Sequence, residues 1–320
     1  MTENQSFLPW IILSIHIASL MIIDFFVLNK QNKIISNKSA LNQSLFFVFN
    51  ALFFSFIVYW IYKNSIIQTS SIKDEMDAVF KYLTGYVVEL SLSVDNLFVM
   101  AVIFKTYKIP LKYQHKLLFL GILGAIVFRA ILIGVGIVLV NKVQGINIIF
   151  GLFLLFTAFK MLKDDDKEEE NPAEIKQKNK GIFKFFHISN KIDGANFTTI
   201  IHGKRVFTAL FGALLTIELT DVLFALDSIP AILAITTEPF IIISSNIFAI
   251  MGLRSMYFFL ANMLEKFSYL KYSVFAILVY VSIKLMLANV YHLPEWLSLS
   301  FIVLSLAAGV FVSLSKMKEE

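Results

Sequence analysis

The sequence has no cysteine and few charged residues, and each scarcity excludes a class of function. Without cysteine, the chain cannot form a disulfide, a thiolate metal site or a redox dithiol. Only 16% of the 320 residues are charged and 58% are hydrophobic, whereas soluble domains are about one quarter charged. The composition therefore predicts a polytopic membrane protein. Its net charge of +5 comes from dispersed basic residues and does not indicate a nucleic-acid-binding module.

Catalytic signatures and a signal peptide are also missing from the sequence. No Ser–His–acid constellation or glycine-rich phosphate loop is visible, so we expect neither an enzyme nor a permanent cofactor. The first apolar segment has no basic flank before it and no small-residue cleavage site, which indicates a true span rather than a cleavable signal.

Long apolar segments dominate what is present. A transmembrane helix needs roughly 20 mostly apolar residues, and barrel strands are excluded because they alternate in polarity and run about ten residues. The sixth segment is long for one crossing, which predicts a tilt or a break there. The nine predicted spans are 7–28, 43–62, 82–104, 116–140, 145–162, 207–236, 240–264, 270–291 and 296–315.

The basic residues between these spans predict the orientation. With the N-terminus outside, 20 Lys and Arg lie in inside segments and four lie outside. This positive-inside bias predicts an outside N-terminus and a cytoplasmic C-terminus. The inside segments are 29–42, 105–115 with Lys116, 163–206, 265–271 and 316–320.

The long inside segment 163–206 has two different parts. It begins with the mixed charge run KDDDKEEENPAEIKQKNK, which is typical of a solvated linker. Its later part has Asp-Gly and His-Gly turn signals between β-prone runs, which predicts a small hairpin over the cytoplasmic face.

Two apolar segments each contain a pair of carboxylates six residues apart. The stretch VELSLSVDNLFVMAVIF contains Glu89 and Asp95, and the stretch TDVLFALDSIPAILAIT contains Asp221 and Asp227. Because charge inside the hydrocarbon region is costly, such residues are usually functional.

These stretches belong to a repeated unit of three spans. The equivalent polar positions are Glu89 and Asp221, Asp95 and Asp227, Asn96 and Ser228, Arg129 and Arg254, and Lys160 and Lys284. A three-span unit reverses direction when it is repeated, so we predict an all-α polytopic membrane protein with two inverted three-helix repeats, as in many secondary transporters. The predicted organisation is two N-terminal helices (1–81), the first repeat (82–162), a cytoplasmic loop (163–206), the second repeat (207–291), and a last helix with the C-terminal tail (292–320).

On a straight helix, the two acids of one stretch do not share a face. At 100° per residue, Glu89, Ser93 and Asn96 share a face, whereas Asp95 points about 120° away. In the second stretch the shared face holds Glu218, Asp221, Ala225 and Ser228, and Asp227 lies off it. Pro230 removes one backbone hydrogen bond and is expected to bend this helix, and broken helices with freed carbonyls form cation sites in transporters.

The candidate ligands are all oxygen donors: carboxylates, an amide, a hydroxyl and freed carbonyls. Such a set suits Mg²⁺, Ca²⁺ or Mn²⁺ and disfavours Cu⁺ or a closed zinc site. His16, the only histidine well inside a span, is interpreted as a packed residue at a helix interface.

The alternative interpretation is a set of structural ion pairs. Six acids within the spans face four bases, which leaves a formal charge of −2 that protonation or one divalent cation would relieve. Asp24, near the end of its span, fits a structural or interfacial placement equally well, and Lys160 and Lys284 alternatively snorkel to an interface. The residues expected to balance charge in the empty state, or to couple transport, are Asp24, Arg129, Lys160, Arg254 and Lys284.

Several of the polar stretches resemble the TerC/Alx family of integral membrane proteins. They are GYVVELSLSVDNLFVMAVIF, IPLKYQHKLLFLGILGAIVFRA, DGANFTTIIHGKRVFTALF, TIELTDVLFALDSIPAILAITTEPF and FAIMGLRSMYFFL. The resemblance covers about Gly85 to Leu287, and no acidic motif position departs from it. It implies bacterial manganese export across the inner membrane, with links to tellurium resistance and alkaline pH. It also implies a set of residues in or beside the metal path, namely Glu89, Asp95, Asn96, Glu218, Asp221, Asp227 and Ser228.

Three functions stay open at this point. The first is a secondary transporter that exports Mn²⁺ and exchanges protons through the same carboxylates. The choice of Mn²⁺ comes from the resemblance to the family. The second is a Ca²⁺/H⁺ antiporter. The third is a membrane-integration or secretion-partner protein that uses 163–206 as a docking surface.

Overall fold

The structure is a computed structural model that describes residues 7–24, 37–143, 145–164, 188–201, 203–260, 270–287 and 295–316. Within these ranges the chain is mostly α-helical. The elements in chain order are α1 Leu8–Ile23, α2 Asn37–Lys63, α3 Glu75–Thr106, α4 Leu111–Lys142, α5 Ile146–Asp164, β1 Thr198–Ile201, β2 Lys204–Phe207, α6 Ala209–Leu233, α7 Pro239–Leu260, α8 Leu270–Leu287 and α9 Glu295–Lys316. Each of the nine predicted apolar segments overlaps one of these helices.

Apolar helices long enough to cross a bilayer identify a multi-pass membrane protein. Four described stretches meet the length and composition of a span: Lys38–Lys63, Leu111–Val140, Pro239–Phe258 and Leu297–Lys316. Two shorter described helices, Leu8–Ile23 and Tyr272–Leu287, are also apolar. Large apolar side chains such as Phe56, Ile131 and Phe311 are exposed on the surface, as expected for residues that face lipid.

The sixth apolar segment folds differently from the prediction. Helix α6 continues through Pro230 and ends at Leu233, so the helix is not interrupted at this proline, and the bend expected there stays a prediction. Pro230 lies only three residues before the helix end, where few backbone hydrogen bonds remain to be lost, and neighbouring helices compensate prolines in membrane proteins. The part of the predicted segment that follows Leu233 forms a short connection, and α7 begins at Pro239.

The predicted hairpin is confirmed. Strands β1 and β2 pair antiparallel, with Ile201 opposite Lys204, and Gly203 adopts a φ of 75° in the turn between them, a conformation that favours glycine. The hairpin region contacts the start of α4, because the Lys116 ammonium donates a hydrogen bond of 2.7 Å to the Ala195 carbonyl.

The helices of the two predicted repeats pack against each other. Helix α3 packs against α7, α4 packs against α6, and α5 packs against α8. Helix α2 covers α3 and α7, and α9 covers α3 and α8. Helices α5 and α8 meet at Gly151, whose carbonyl accepts a 2.8 Å hydrogen bond from the Ser282 hydroxyl. The contacts of α3, α4, α6 and α7 place their polar residues at the centre of the bundle.

Candidate functional site

The centre of the site is Arg129 on α4, which is only 2% exposed. Its Nη2 lies 3.1 Å from Asp221 Oδ1, and its Nε donates to Asp221 Oδ2 at 3.3 Å. Its Nη1 donates to Glu89 Oε1. One guanidinium therefore binds a carboxylate of α6 through two bonds and a carboxylate of α3 through a third, and it links three helices.

Neutral oxygens surround the same guanidinium. Arg129 Nη1 lies 3.4 Å from Ser228 Oγ on α6 and 3.4 Å from Asn246 Oδ1 on α7. The Ser93 hydroxyl donates to Glu89 Oε1 at 3.0 Å. Helices α3, α6 and α7 thus contribute oxygen atoms, and α4 contributes the guanidinium. Oxygen atoms are also the ligands that a hard metal ion prefers.

The helical spacing predicted from sequence explains which groups meet. Glu89 and Ser93 are four residues apart and hydrogen-bond along one face of α3. Asp221 and Ser228 are seven residues apart and both contact Arg129 from one face of α6. The shared faces predicted for these residues are confirmed.

Glu218 lies one turn before Asp221 on α6, and its carboxyl group packs directly on Gly124 of α4. A Cβ at position 124 would collide with both carboxyl oxygens of Glu218. Within the described part of the chain, Glu218 Oε2 is buried and has no hydrogen-bond partner. This oxygen therefore accepts no hydrogen bond from Arg129, although Asp221, which Arg129 binds, lies one turn away on the same helix.

A small cavity adjoins the ion pair on the side of α3 and α6. Asn96, which is 3% exposed, lines it, and among the described residues its Oδ1 has no hydrogen-bond partner. The cavity has room for about one water molecule. Its lining residues are Asn96, Val99, Met100, Ile103, Ile217, Thr220, Asp221 and Phe224.

Some predicted site residues lie elsewhere or outside the described side chains. Lys284 is buried on α8 and donates to Ser298 Oγ of α9 at 3.1 Å, and both roles considered for it stay predictions. Asp24 is buried at the end of α1. The side chains of the remaining predicted residues, Asp95, Lys160, Asp227 and Arg254, fall outside the part that the structure describes.

Two further residues are placed by the structure: Asn246, which sequence reasoning missed, and His16, which it predicted. Asn246 contacts Arg129 and was missed, although a buried amide in the apolar stretch IIISSNIFAI is itself a signal. His16 packs against the rings of Phe54 and Phe248 at centroid distances of 5.5 and 5.4 Å, so its predicted role at a helix interface is confirmed.

The bundle and its centre define an integral membrane protein with a buried, charged polar site. The model of the integral membrane protein TerC family matches residues 74–320, and the chain belongs to that family. The resemblance inferred from the motifs is thereby confirmed, and its match extends beyond them to the C-terminus.

Relatives cover nearly the whole chain. An uncharacterized membrane protein of Rickettsia bellii is 36% identical over 306 residues, which is 96% of this chain and 97% of the relative. Another, from Myxococcus xanthus, is 39% identical over 303 residues, covering 94% and 90%. Alx of Shigella flexneri is 37% identical over 275 residues, covering 86% and 84%. No solved structure matches the chain.

Proposed function

We propose that the protein is a secondary transporter that exports a divalent cation, Mn²⁺, through its intramembrane carboxylates in exchange for protons. The observation that carries this proposal is the Arg129 guanidinium held between Glu89 and Asp221. A buried cation bound by carboxylates of two different helices occupies a place for which a transported cation can compete. Mn²⁺ is the choice that the family resemblance favours among hard divalent ions.

The formal charge of the centre supports a divalent substrate. Among the side chains that the structure describes at the centre, the carboxylates of Glu89, Glu218 and Asp221, when ionised, together with Arg129 leave a charge of −2. One divalent cation would neutralise this charge, whereas one monovalent ion would not. We infer that entry of the metal ion displaces the guanidinium from the carboxylates, so that Arg129 stabilises the protein between transport events.

Helix packing supports the two inverted repeats, which are part of this proposal. If α3, α4 and α5 correspond to α6, α7 and α8, the contact of α3 with α7 is equivalent to the contact of α6 with α4, and both occur. At residue level, a Cβ at Gly85 would lie 3.3 Å from the Ser245 Cβ, and a Cβ at Gly121 would lie 3.3 Å from Ile217. The alignment of the repeats relates these two contacts to within one residue.

The proposed orientation places the N-terminus outside and the hairpin in the cytoplasm of a bacterial cell, in its inner membrane. Because the chain lacks cysteine, single cysteines report their side of the membrane cleanly. We expect Gln68→Cys, in the exposed loop between α2 and α3, to react with an impermeant maleimide added to intact cells. Asn190→Cys, before β1, should react only after permeabilisation. Labelling of both residues in intact cells would contradict the orientation and the inversion of the repeats.

Transport into everted membrane vesicles tests the function. Under an imposed pH gradient, vesicles with the protein should accumulate Mn²⁺ faster than control vesicles, with Ca²⁺ and Mg²⁺ measured in parallel. Glu89→Gln and Asp221→Asn should each lower the Mn²⁺ rate about a hundredfold, because one carboxylate is lost from a low-dielectric cation site.

The matched control for this experiment is Asp77→Asn. Asp77 also forms an ion pair, with Lys81 at 2.8 Å, but it lies about three turns before Glu89 on α3, so its replacement should leave the rate within about twofold. Absence of Mn²⁺ transport by the unaltered protein would refute the proposal. Preferential Ca²⁺ transport would support a Ca²⁺/H⁺ antiporter instead.

Two other functions are separated by the same assay. Some relatives carry a name that describes a membrane-bound redox modulator, but a thiol–disulfide mechanism is excluded here because the chain has no cysteine. A membrane-integration or secretion partner would depend on the loop 163–206, most of which lies outside the described residues. Deletion of its acidic run should leave Mn²⁺ transport intact if the protein is a transporter.

A further inference from the structure

The hairpin of β1 and β2 has an outer face on which an apolar and a basic side chain lie side by side. Ile200 is opposite Arg205 in the register of the two strands, so both side chains project from the same face. Ile200 is 65% exposed, and Arg205 is exposed as well. On the other face Thr199 is buried and Phe197 packs against the apolar cluster at this end of the bundle. The hairpin therefore turns an amphipathic face away from that cluster.

The outer face continues a line of apolar side chains on α6. Phe207, on the same face of the hairpin, stacks on Phe211 in the first turn of α6, with the ring centroids 4.1 Å apart. Leu215 and Leu219 follow Phe211 at intervals of four residues, which places all three on one face of the helix. Leu219 is 40% exposed, as expected for a side chain that faces lipid. The outer face of the hairpin is thus continuous with a lipid-facing stripe.

The hairpin lies at the level where the helices enter the bilayer. Strand β2 ends at Phe207, and α6 begins at Ala209. The stretch of α4 that is long and apolar enough to span begins at Leu111, and Lys116, in its second turn, donates a hydrogen bond to the Ala195 carbonyl just before β1. Side chains at this depth meet the phospholipid headgroups.

Two basic side chains next to the turn are available to such a headgroup. Lys204 and Arg205 are both exposed, and within the described part of the chain neither takes part in an ion pair. A basic residue at a membrane surface strengthens attachment to anionic lipid by about fivefold. A guanidinium also fits a phosphate group through two parallel hydrogen bonds. Both the charge and the geometry therefore favour an anionic phospholipid.

We propose that the outer face of the hairpin binds an anionic phospholipid, with Ile200 in the interfacial region of the bilayer and with Lys204 and Arg205 on the phosphate headgroup. This inference does not depend on the transport function. Because the hairpin contacts α4 and runs directly into α6, the bound lipid restrains the ends of the two helices that Arg129 links to each other.

A fluorophore on the hairpin tests the contact with lipid. The chain has no cysteine, so Ile200→Cys can be labelled with an environment-sensitive dye and the full chain reconstituted into liposomes that contain a nitroxide-labelled lipid. We expect blue-shifted emission, and quenching about twofold stronger in phosphatidylcholine with phosphatidylglycerol than in phosphatidylcholine alone. Asn190→Cys is the matched control, because Asn190 is exposed but precedes the hairpin, and its dye should show neither effect.

Charge variants test the contact with the headgroup. In the labelled Ile200→Cys protein, the pair of substitutions Lys204→Gln and Arg205→Gln should abolish the difference between the two lipid compositions. Lys63→Gln with Lys142→Gln removes the same charge from the ends of α2 and α4, at the opposite end of the bundle, and should retain that difference.

The same measurements can exclude the lipid. Quenching of the dye on Ile200→Cys that is no stronger than on Asn190→Cys would place the outer face in water and overturn the inference. Equal quenching with and without phosphatidylglycerol would overturn the contact with an anionic headgroup. A signal that ignores lipid composition but changes when the acidic run 165–170 is deleted would show that the chain itself covers this face, which also overturns the inference.

Discussion

Arg129→Gln should destabilise the protein more than replacement of any other described ion-pair residue. The substitution leaves Glu89 and Asp221 buried at the centre of the bundle without the cation that binds them both. Removal of one partner from a buried ion pair costs about 3–5 kcal/mol, because the remaining charge is left uncompensated. For the purified protein in detergent, we expect the midpoint of thermal unfolding to fall by on the order of 10 °C.

Neutralisation of the carboxylates separates this effect from a loss of packing. The combination of Arg129→Gln, Glu89→Gln and Asp221→Asn has the same loss of side-chain volume at position 129 as the single variant but removes all three charges, so it should recover most of the lost stability but no transport. Lys81→Gln breaks the pair with Asp77, whose side chains are 10% and 14% exposed, and should cost less because some solvent remains. An Arg129→Gln protein that unfolds at the same temperature as the unaltered protein would contradict a stabilising role for the guanidinium.

The sequence was sufficient to predict the helices and the partners of Arg129. A bilayer requires long apolar helices, so composition and length alone locate them. A charge within such a helix must find a partner. Glu89 and Asp221 are among the acids of the repeated stretches that could serve as that partner. The two ion pairs show that Arg129 is the partner of these acids, and its role as their counter-ion between transport events stays a prediction.

The contacts between helices could not be predicted from the sequence. Periodicity identifies which residues share a face of one helix, but not which face of another helix meets it. The fit of Glu218 against Gly124, the contact of Asn246 with Arg129 and the cavity beside Asn96 all depend on how α3, α4, α6 and α7 are packed. The continuity of α6 through Pro230 could not be predicted for the same reason, because the surroundings of a membrane helix determine whether a proline interrupts it.

A disulfide between α3 and α7 should stop transport completely and reversibly. In secondary transporters with inverted repeats, one repeat moves relative to the other. Here α3 belongs to the first predicted repeat and α7 to the second. At the contact between Gly85 and Ser245, a Cβ on Gly85 would lie 3.3 Å from the Ser245 Cβ, close to the separation found in disulfides. We expect a Gly85→Cys, Ser245→Cys protein to transport Mn²⁺ when reduced and to lose transport on oxidation.

The equivalent contact in the other half of the protein offers a second, independent position for a bond. A Cβ on Gly121 of α4 would lie 3.3 Å from Ile217 Cγ2 of α6, and inverted repeats predict that a disulfide formed by Gly121→Cys and Ile217→Cys arrests transport as the first one does. Each single-cysteine variant, exposed to the same oxidant, serves as a control, because the natural chain has no cysteine that could pair with it. Recovery of transport on reduction would show that the loss comes from restrained motion and not from damage. Full Mn²⁺ transport by a protein with either bond shown to be formed would mean that this interface stays fixed during transport, and the rocking of one repeat against the other would have to be abandoned.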